Sequence, residues 1–171
     1  TLLNFKESFP INLVTSPTLK VLTGNLITLA SNSIAKNRQE KHVVFAGIDK
    51  DKGTLAYLRS LGIEVISDRT QFVKLMKEWT KTHTVWVHTT YQSYYYQNNK
   101  QGKKEESRNC LTRLMRELKR SFYFAYIDEV HKTWQPNRKP WSAIHYDDIC
   151  RIENRFKCTA SKKDFKGPSS V

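Results

Sequence analysis

With 171 residues, 39% hydrophobic and 12% aromatic, the chain can bury one substantial core, and its composition is globular rather than disordered. Twenty-nine lysines and arginines against 16 acids give a net charge of +13. That balance favours nucleic acid or another polyanion as partner, with solubility or burial in a larger assembly as the plainer alternatives.

No apolar run approaches the roughly 20 residues needed to cross a bilayer, so no membrane partner is expected. The first residues do not read as a signal peptide. Cys110, Cys150 and Cys158 form no CxxC pair, which argues against a zinc ribbon or a disulfide framework. Buried thiols in a reducing, intracellular compartment are the plain reading.

In chain order, residues 1–10 form a lead-in without assignment. Ile11 to Thr15 reads as a short buried strand stopped by Ser16-Pro17. Apolar residues at Leu19, Leu22, Leu26, Ile27, Ala30 and Ile34 recur at helical spacing and predict a helix to about Asn37. Lys41 to Ala46 is a second strand, closed by Gly47. Asp51 to Leu61 is an amphipathic helix ended by Gly62, and Ile63 to Ile66 is a third strand. Asp68 or Thr70 caps a helix whose apolar face is Phe72, Val73, Met76 and Trp79.

Thr84 to His88 is a fourth strand, followed by Thr89-Thr-Tyr-Gln-Ser93. The polar stretch Gln97 to Ser107 predicts a mobile loop. Leu111, Leu114, Met115 and Leu118 mark another helix, and Phe122 to Ile127 a fifth strand. After a proline-bearing loop from Lys132 to Pro140, a helix is expected within Trp141–Asn154 and a sixth strand from Phe156 to Ser161. Strands alternating with helices predict a parallel sheet covered on both faces, an α/β domain over residues 11–165, with 166–171 as tail or linker.

The fifth strand runs into Asp128-Glu-Val-His131. Paired carboxylates at the carboxyl end of a buried parallel strand stand where ligands bind in open α/β sheets. Asp128 can hold Mg²⁺ in an oxygen shell, and Glu129 can orient or deprotonate a water. An acidic, solvated turn is the bland counterpart.

These four residues also resemble the DExH box of superfamily 2 helicases and translocases. Thr89-Thr-Tyr-Gln-Ser93 is similar to the segment that approaches the nucleic-acid backbone in that family. Thr159-Ala-Ser161 resembles its motif III, which couples the nucleotide site to movement. Trp141 to Asp148 and Arg155 to Cys158 resemble the connector in the restriction-enzyme and phage-repair branch. The resemblance implies the first of two motor domains, a three-layer RecA-like fold of the P-loop NTPase class, using ATP and Mg²⁺. It further implies nucleic acid as partner, DNA ahead of RNA, and a second motor domain or partner chain.

Under this resemblance Asp128 binds the metal, Glu129 and His131 serve catalysis, and Thr159, Ala160 and Ser161 transmit the state. Thr89, Thr90, Gln92 and Ser93 contact the sugar-phosphate backbone without reading bases, and Lys162 and Lys163 add charge. Tyr94, Tyr95 and Tyr96 could stack on bases, though packing under the loop accounts for them as well. His145 is expected to be packing or surface.

One departure stands out. The family's phosphate loop, Gly-x-Gly-Lys-Thr, is expected between the first strand and its helix, where glycine amides wrap phosphates and the lysine neutralises charge. The matching place, Thr15, Ser16, Pro17 and Thr18, continues through Lys20 to Thr23 with no glycine, and Leu22 takes the lysine's position. Leu19 could equally be the first residue after a loop of about five absent residues. This chain by itself is therefore expected not to hydrolyse ATP. A helicase-like binding or scaffold domain that has lost ATP is the alternative to a motor fragment.

Overall fold

The structure, a computed structural model, describes residues 8–29, 40–47, 52–133 and 139–159. Six strands form the main sheet: β1 (Ile11–Ser16), β2 (Glu40–Phe45), β3 (Glu64–Ile66), β4 (Thr84–Thr90), β7 (Phe122–Ile127) and β8 (Ile152–Lys157). They lie in the order β3-β2-β4-β1-β7-β8, every pairing parallel. The helices are α1 (Leu19–Leu29), α2 (Lys52–Ser60), α3 (Arg69–Trp79), α4 (Tyr91–Tyr94), α5 (Leu111–Glu117) and α6 (Lys139–Ser142).

Strict side-chain alternation sends neighbouring strand residues to opposite faces. Val43 and Phe45 join one core with Ile11, Leu13, Val85 and Val87, under Phe72 and Met76 of α3 and Leu111 and Leu114 of α5. Val44, Ala46 and Val65 join a second core under Leu22 and Leu26 of α1 and Leu58 of α2. The result is the expected three-layer α/β arrangement of RecA-like type. Asp68 caps α3 as predicted, accepting the Gln71 amide at 2.8 Å. The continuation of the first helix from Ala30 to Asn37 lies outside the described residues.

Two expectations are corrected. Gln97 to Ser107 is not a bare loop: β5 (Gln97–Lys100) and β6 (Lys103–Glu106) pair antiparallel as a hairpin. Its tip residues, Gln101 and Gly102, both have positive φ (52° and 78°), the geometry of a tight two-residue hairpin turn. Glu106 anchors the base through Arg116 and Thr112.

The helix expected within Trp141–Asn154 is only α6 followed by a 3-10 turn over Ala143–His145. The sixth strand then begins at Ile152, four residues before the predicted Phe156. Asp147 causes this: its carboxylate accepts the Ile152 amide at 3.3 Å and the Arg155 guanidinium at 2.5 Å. Those bonds hold the chain extended where a helix would have carried it round.

Candidate functional site

The site begins with the register of β1 against β7. Val14 lies opposite Tyr126 and Thr15 opposite Ile127. One residue further, the Asp128 amide donates to the Thr15 carbonyl at 3.2 Å. The acid pair therefore comes out at the carboxyl edge of the parallel sheet, against the turn that follows Val14. The Asp128 carboxylate accepts from Asn25 Nδ2 on α1 at 3.4 Å, so it looks toward that helix. Asn25 was not singled out by sequence. Its place, three residues from Leu22 and one before Leu26 on the sheet-facing side of α1, was the available signal.

Glu129 adopts a left-handed backbone, φ 52° and ψ 46°. For a residue with a Cβ this costs about 1–2 kcal/mol. The bend turns the chain into a 3-10 turn over Val130–Lys132 and directs the Glu129 carboxylate to His131 Nε2 and Lys132 Nζ, each at 3.5 Å. The opposite ring nitrogen of His131 lies 2.7 Å from Thr159 Oγ1. Backbone bonds from Cys158 to Ile127 and from Val130 to Cys158, both 2.9 Å, hold the ends of β7 and β8 together beneath this chain. Glu129, His131 and Thr159 thus form one connected polar line across two strand ends. Ala160, Ser161, Lys162 and Lys163 lie outside the described residues.

Tyr91 is a further neighbour that sequence reasoning passed over. Its ring is buried against Trp141, centroids 5.8 Å apart, and its hydroxyl has no hydrogen-bond partner. Burial raises the phenol's pKa above its ordinary value, and the charges of Asp128 and Glu129 add to the shift.

The residues between β1 and α1 are only Pro17 and Thr18. Thr18 caps α1: its hydroxyl accepts the Val21 amide at 3.2 Å and its carbonyl the Leu22 amide at 3.0 Å. Proline has no amide to offer. Ser16 is fully buried, Lys20 is exposed, and the Thr23 hydroxyl is turned back to the Lys20 carbonyl at 3.0 Å. Asp128 fits a Mg²⁺ site of the kind completed by one carboxylate, water and phosphate. The β1–α1 link does not fit a triphosphate. A cradle needs several converging amides, and here a two-residue link leads straight into a capped helix.

The segment after β4 divides. Thr89 is fully buried, its hydroxyl donating to the Phe45 carbonyl at 2.6 Å, which ties β4 to β2. Thr90 caps α4 through the Ser93 amide at 3.2 Å. Thr90, exposed Gln92 and half-buried Ser93 line a cavity of about 670 Å³ at the carboxyl edge, whose other wall includes Pro17, Thr18, Gly47 and Trp141. Tyr94 and Tyr95 are buried and Tyr96 packs against the core, so all three pack under this segment. His145 is also packed, 2.8 Å from the Thr133 hydroxyl.

No family model matches the sequence, and no curated protein matches it. Among the solved structures that share the fold are two Type ISP enzymes. One is a nuclease-deletion mutant of the Type ISP restriction-modification enzyme LlaGI in complex with a DNA substrate mimic. It has TM-score 0.59 and 17% identity over 94% of this chain. The other is the ATP-dependent Type ISP restriction-modification enzyme LlaBIII bound to DNA, at TM-score 0.60 and 16% identity over 90% of this chain. This chain spans 13% and 9% of the lengths of those two chains.

Proposed function

We propose that this chain is the first motor domain of a helicase or translocase that moves on nucleic acid, DNA ahead of RNA. It is one part of a machine whose second motor domain lies elsewhere, and its own phosphate loop is degenerate or missing. The observation that carries this reading is the line Glu129–His131–Thr159 beside Asp128, at the carboxyl edge of a fully parallel sheet. The left-handed backbone of Glu129, which Gln101 and Lys119 also adopt at their turns, directs its carboxylate into that line. The cavity walled by Thr90, Gln92 and Ser93 suits a sugar-phosphate chain, since hydroxyl and amide donors grip phosphate without reading sequence. The two Type ISP enzymes, one ATP-dependent and both solved with DNA or a mimic of it, support the same class.

A second reading rests on the β1–α1 link. A domain whose first helix is capped by its own Thr18 could be a scaffold that binds nucleic acid and has given up nucleotide. One experiment addresses both: anisotropy of labelled single-stranded DNA and RNA across a salt series, with and without Mg·ATP. The chain is expected to bind DNA with strongly salt-dependent affinity and no response to Mg·ATP. Absence of binding at low salt would sink both readings. Mg·ATP-stimulated turnover by a polypeptide that also holds the second motor domain would decide for the motor over the scaffold.

A further inference from the structure

We propose that the β5–β6 hairpin is a second contact for nucleic acid. It holds the sugar-phosphate chain of a strand that runs on from the cavity walled by Thr90, Gln92 and Ser93. The hairpin's role rests on the nucleic-acid reading of that cavity.

β5 and β6 form a ribbon of their own, outside the six-stranded sheet. Every paired residue except Glu106 is exposed, so burial of apolar surface does not hold the ribbon together. Two strands alone are marginal in water. The base is tied down by polar bonds instead. The Ser107 amide donates to the Tyr96 carbonyl at 2.8 Å, and Gln97 Nε2 to the Tyr95 hydroxyl at 2.9 Å. Glu106 takes Arg116 and Thr112.

The far end is basic on both faces. Lys100 and Lys103 are paired directly across the turn, and Lys104, opposite Asn99, is on the other face. Like charges placed opposite each other destabilise a ribbon, and a bound polyanion removes that repulsion. Arg108 adds a fourth exposed cation at the base. Among the described residues none of the four forms an ion pair.

The same chemistry narrows the partner. Lysines along strand edges resist pairing with a further protein strand. Gln101 and Gly102 at the tip bring no aromatic surface on which a base could stack. Phosphate, held by charge and without regard to sequence, is the group that suits these side chains.

Position supplies the continuity. Asn109 lines the cavity with Gln92 and Ser93, and it also lines a neighbouring hollow of about 470 Å³ with Lys100 and Arg108. A strand leaving the cavity past Asn109 therefore meets Arg108 and Lys100, with Lys103 beside the latter. Of the two acids in that hollow, Glu106 is already held by Arg116, which leaves Glu105 against the cations.

The test compares two triple variants of equal charge. One changes Lys100, Lys103 and Lys104 to glutamine. The other changes Lys74, Lys77 and Lys81, which are exposed on and just after α3. Anisotropy of labelled oligothymidine is followed across a salt series. The hairpin triple should lower affinity at least about 10-fold at low salt. Its slope of log affinity against log salt should fall by about 2, at about 0.7 for each lost contact to a single strand. The α3 triple should leave that slope nearly unchanged. Equal losses in the two triples, or an unchanged slope in the hairpin triple, overturn the inference.

Hydrogen exchange of the unaltered chain gives a readout that needs no variant. Amides of Gln97 to Glu106 should exchange at least about 10-fold more slowly under saturating oligothymidine, and unchanged exchange also overturns the inference. A Gln92→Ala, Ser93→Ala double variant keeps the hairpin and the cavity apart. Weakened binding in the hairpin triple alone would uphold the hairpin and count against the cavity. Weakened binding in the double variant alone would do the reverse, and no binding by the unaltered chain would overturn both.

Discussion

His131 Nδ1 and the Thr159 hydroxyl are hydrogen-bonded at 2.7 Å, while the same imidazole's Nε2 faces the Glu129 carboxylate at 3.5 Å. A carboxylate only accepts, so in a neutral ring the Glu129 carboxylate favours the proton on Nε2. Nδ1 is then the acceptor and Thr159 the donor. The tautomer of His131 is set from both sides, by one residue on its own turn and one on the neighbouring strand.

Thr159→Val removes that donor. Nitrogen NMR of His131 is expected to shift from a single Nε2–H tautomer toward a mixture, with stability falling by about 1 kcal/mol. Thr159→Ser should restore the tautomer. An unchanged spectrum in Thr159→Val would show that the hydroxyl does not orient the ring.

Glu129→Gly should raise stability by up to about 1 kcal/mol, because glycine adopts a positive φ without the steric cost. Glu129→Gln, which keeps the Cβ, should not. Urea unfolding of both variants measures the difference. Loss of stability in Glu129→Gly would mean that the contacts to His131 and Lys132 outweigh the backbone strain.

Acid should destabilise the fold before any carboxylate is protonated. His42 and His88 are buried on the α1 side of the sheet, Nδ1 to Nε2 at 2.9 Å. Burial lowers the His42 pKa from 6.5 to about 4 and holds His88 well below its ordinary value. His145, lowered to about 4 by burial and by Lys157 and Arg155, adds a third. The unfolded chain takes up protons near pH 6.5 while the folded one does not, so stability is complete above that pH and declines as pH falls toward 4. The slope approaches about 1.4 kcal/mol per pH unit for each histidine. Urea midpoints at pH 7.5 and 5 should differ clearly. A His42→Leu, His88→Leu double variant should lose most of that difference.

Thr89→Val should cost about 1–2 kcal/mol, since it removes the hydroxyl's buried bond to the Phe45 carbonyl. Its effect on nucleic-acid affinity, at matched folded fraction, should be small. Gln92→Ala and Ser93→Ala should weaken binding with little change in melting temperature. The opposite pattern would place the backbone contact at Thr89.

Strands β1 to β4 and β7 were legible because each is a short apolar run with a clear stop, and Asp128 and Glu129 because a strand ending in two acids has one natural location in a parallel sheet. The β5–β6 hairpin was hidden by its chemistry. Gln97 to Glu106 has no apolar alternation, and only Gly102 hinted at a turn. β8 was misplaced because the bonds from Asp147 to Ile152 and Arg155 are non-periodic, and no spacing rule anticipates them. The His42–His88 contact joins residues 46 apart across neighbouring strands, and neither local stretch contains any trace of it. The short β1–α1 link was half visible: the helix pattern from Leu19 fitted it, but that Thr18 caps the helix required coordinates.

β1 sits between β4 and β7, so both of its neighbours are made later than it is. On the ribosome this strand emerges before both and must wait some seventy residues for Val85 and over a hundred for Phe124 to Ile127. At about 5–20 residues per second, its apolar side chains stay unpartnered for several seconds. Slow decoding after β7 would let the middle of the sheet close before release, whereas rapid synthesis or a truncated message would leave β1 to chaperones.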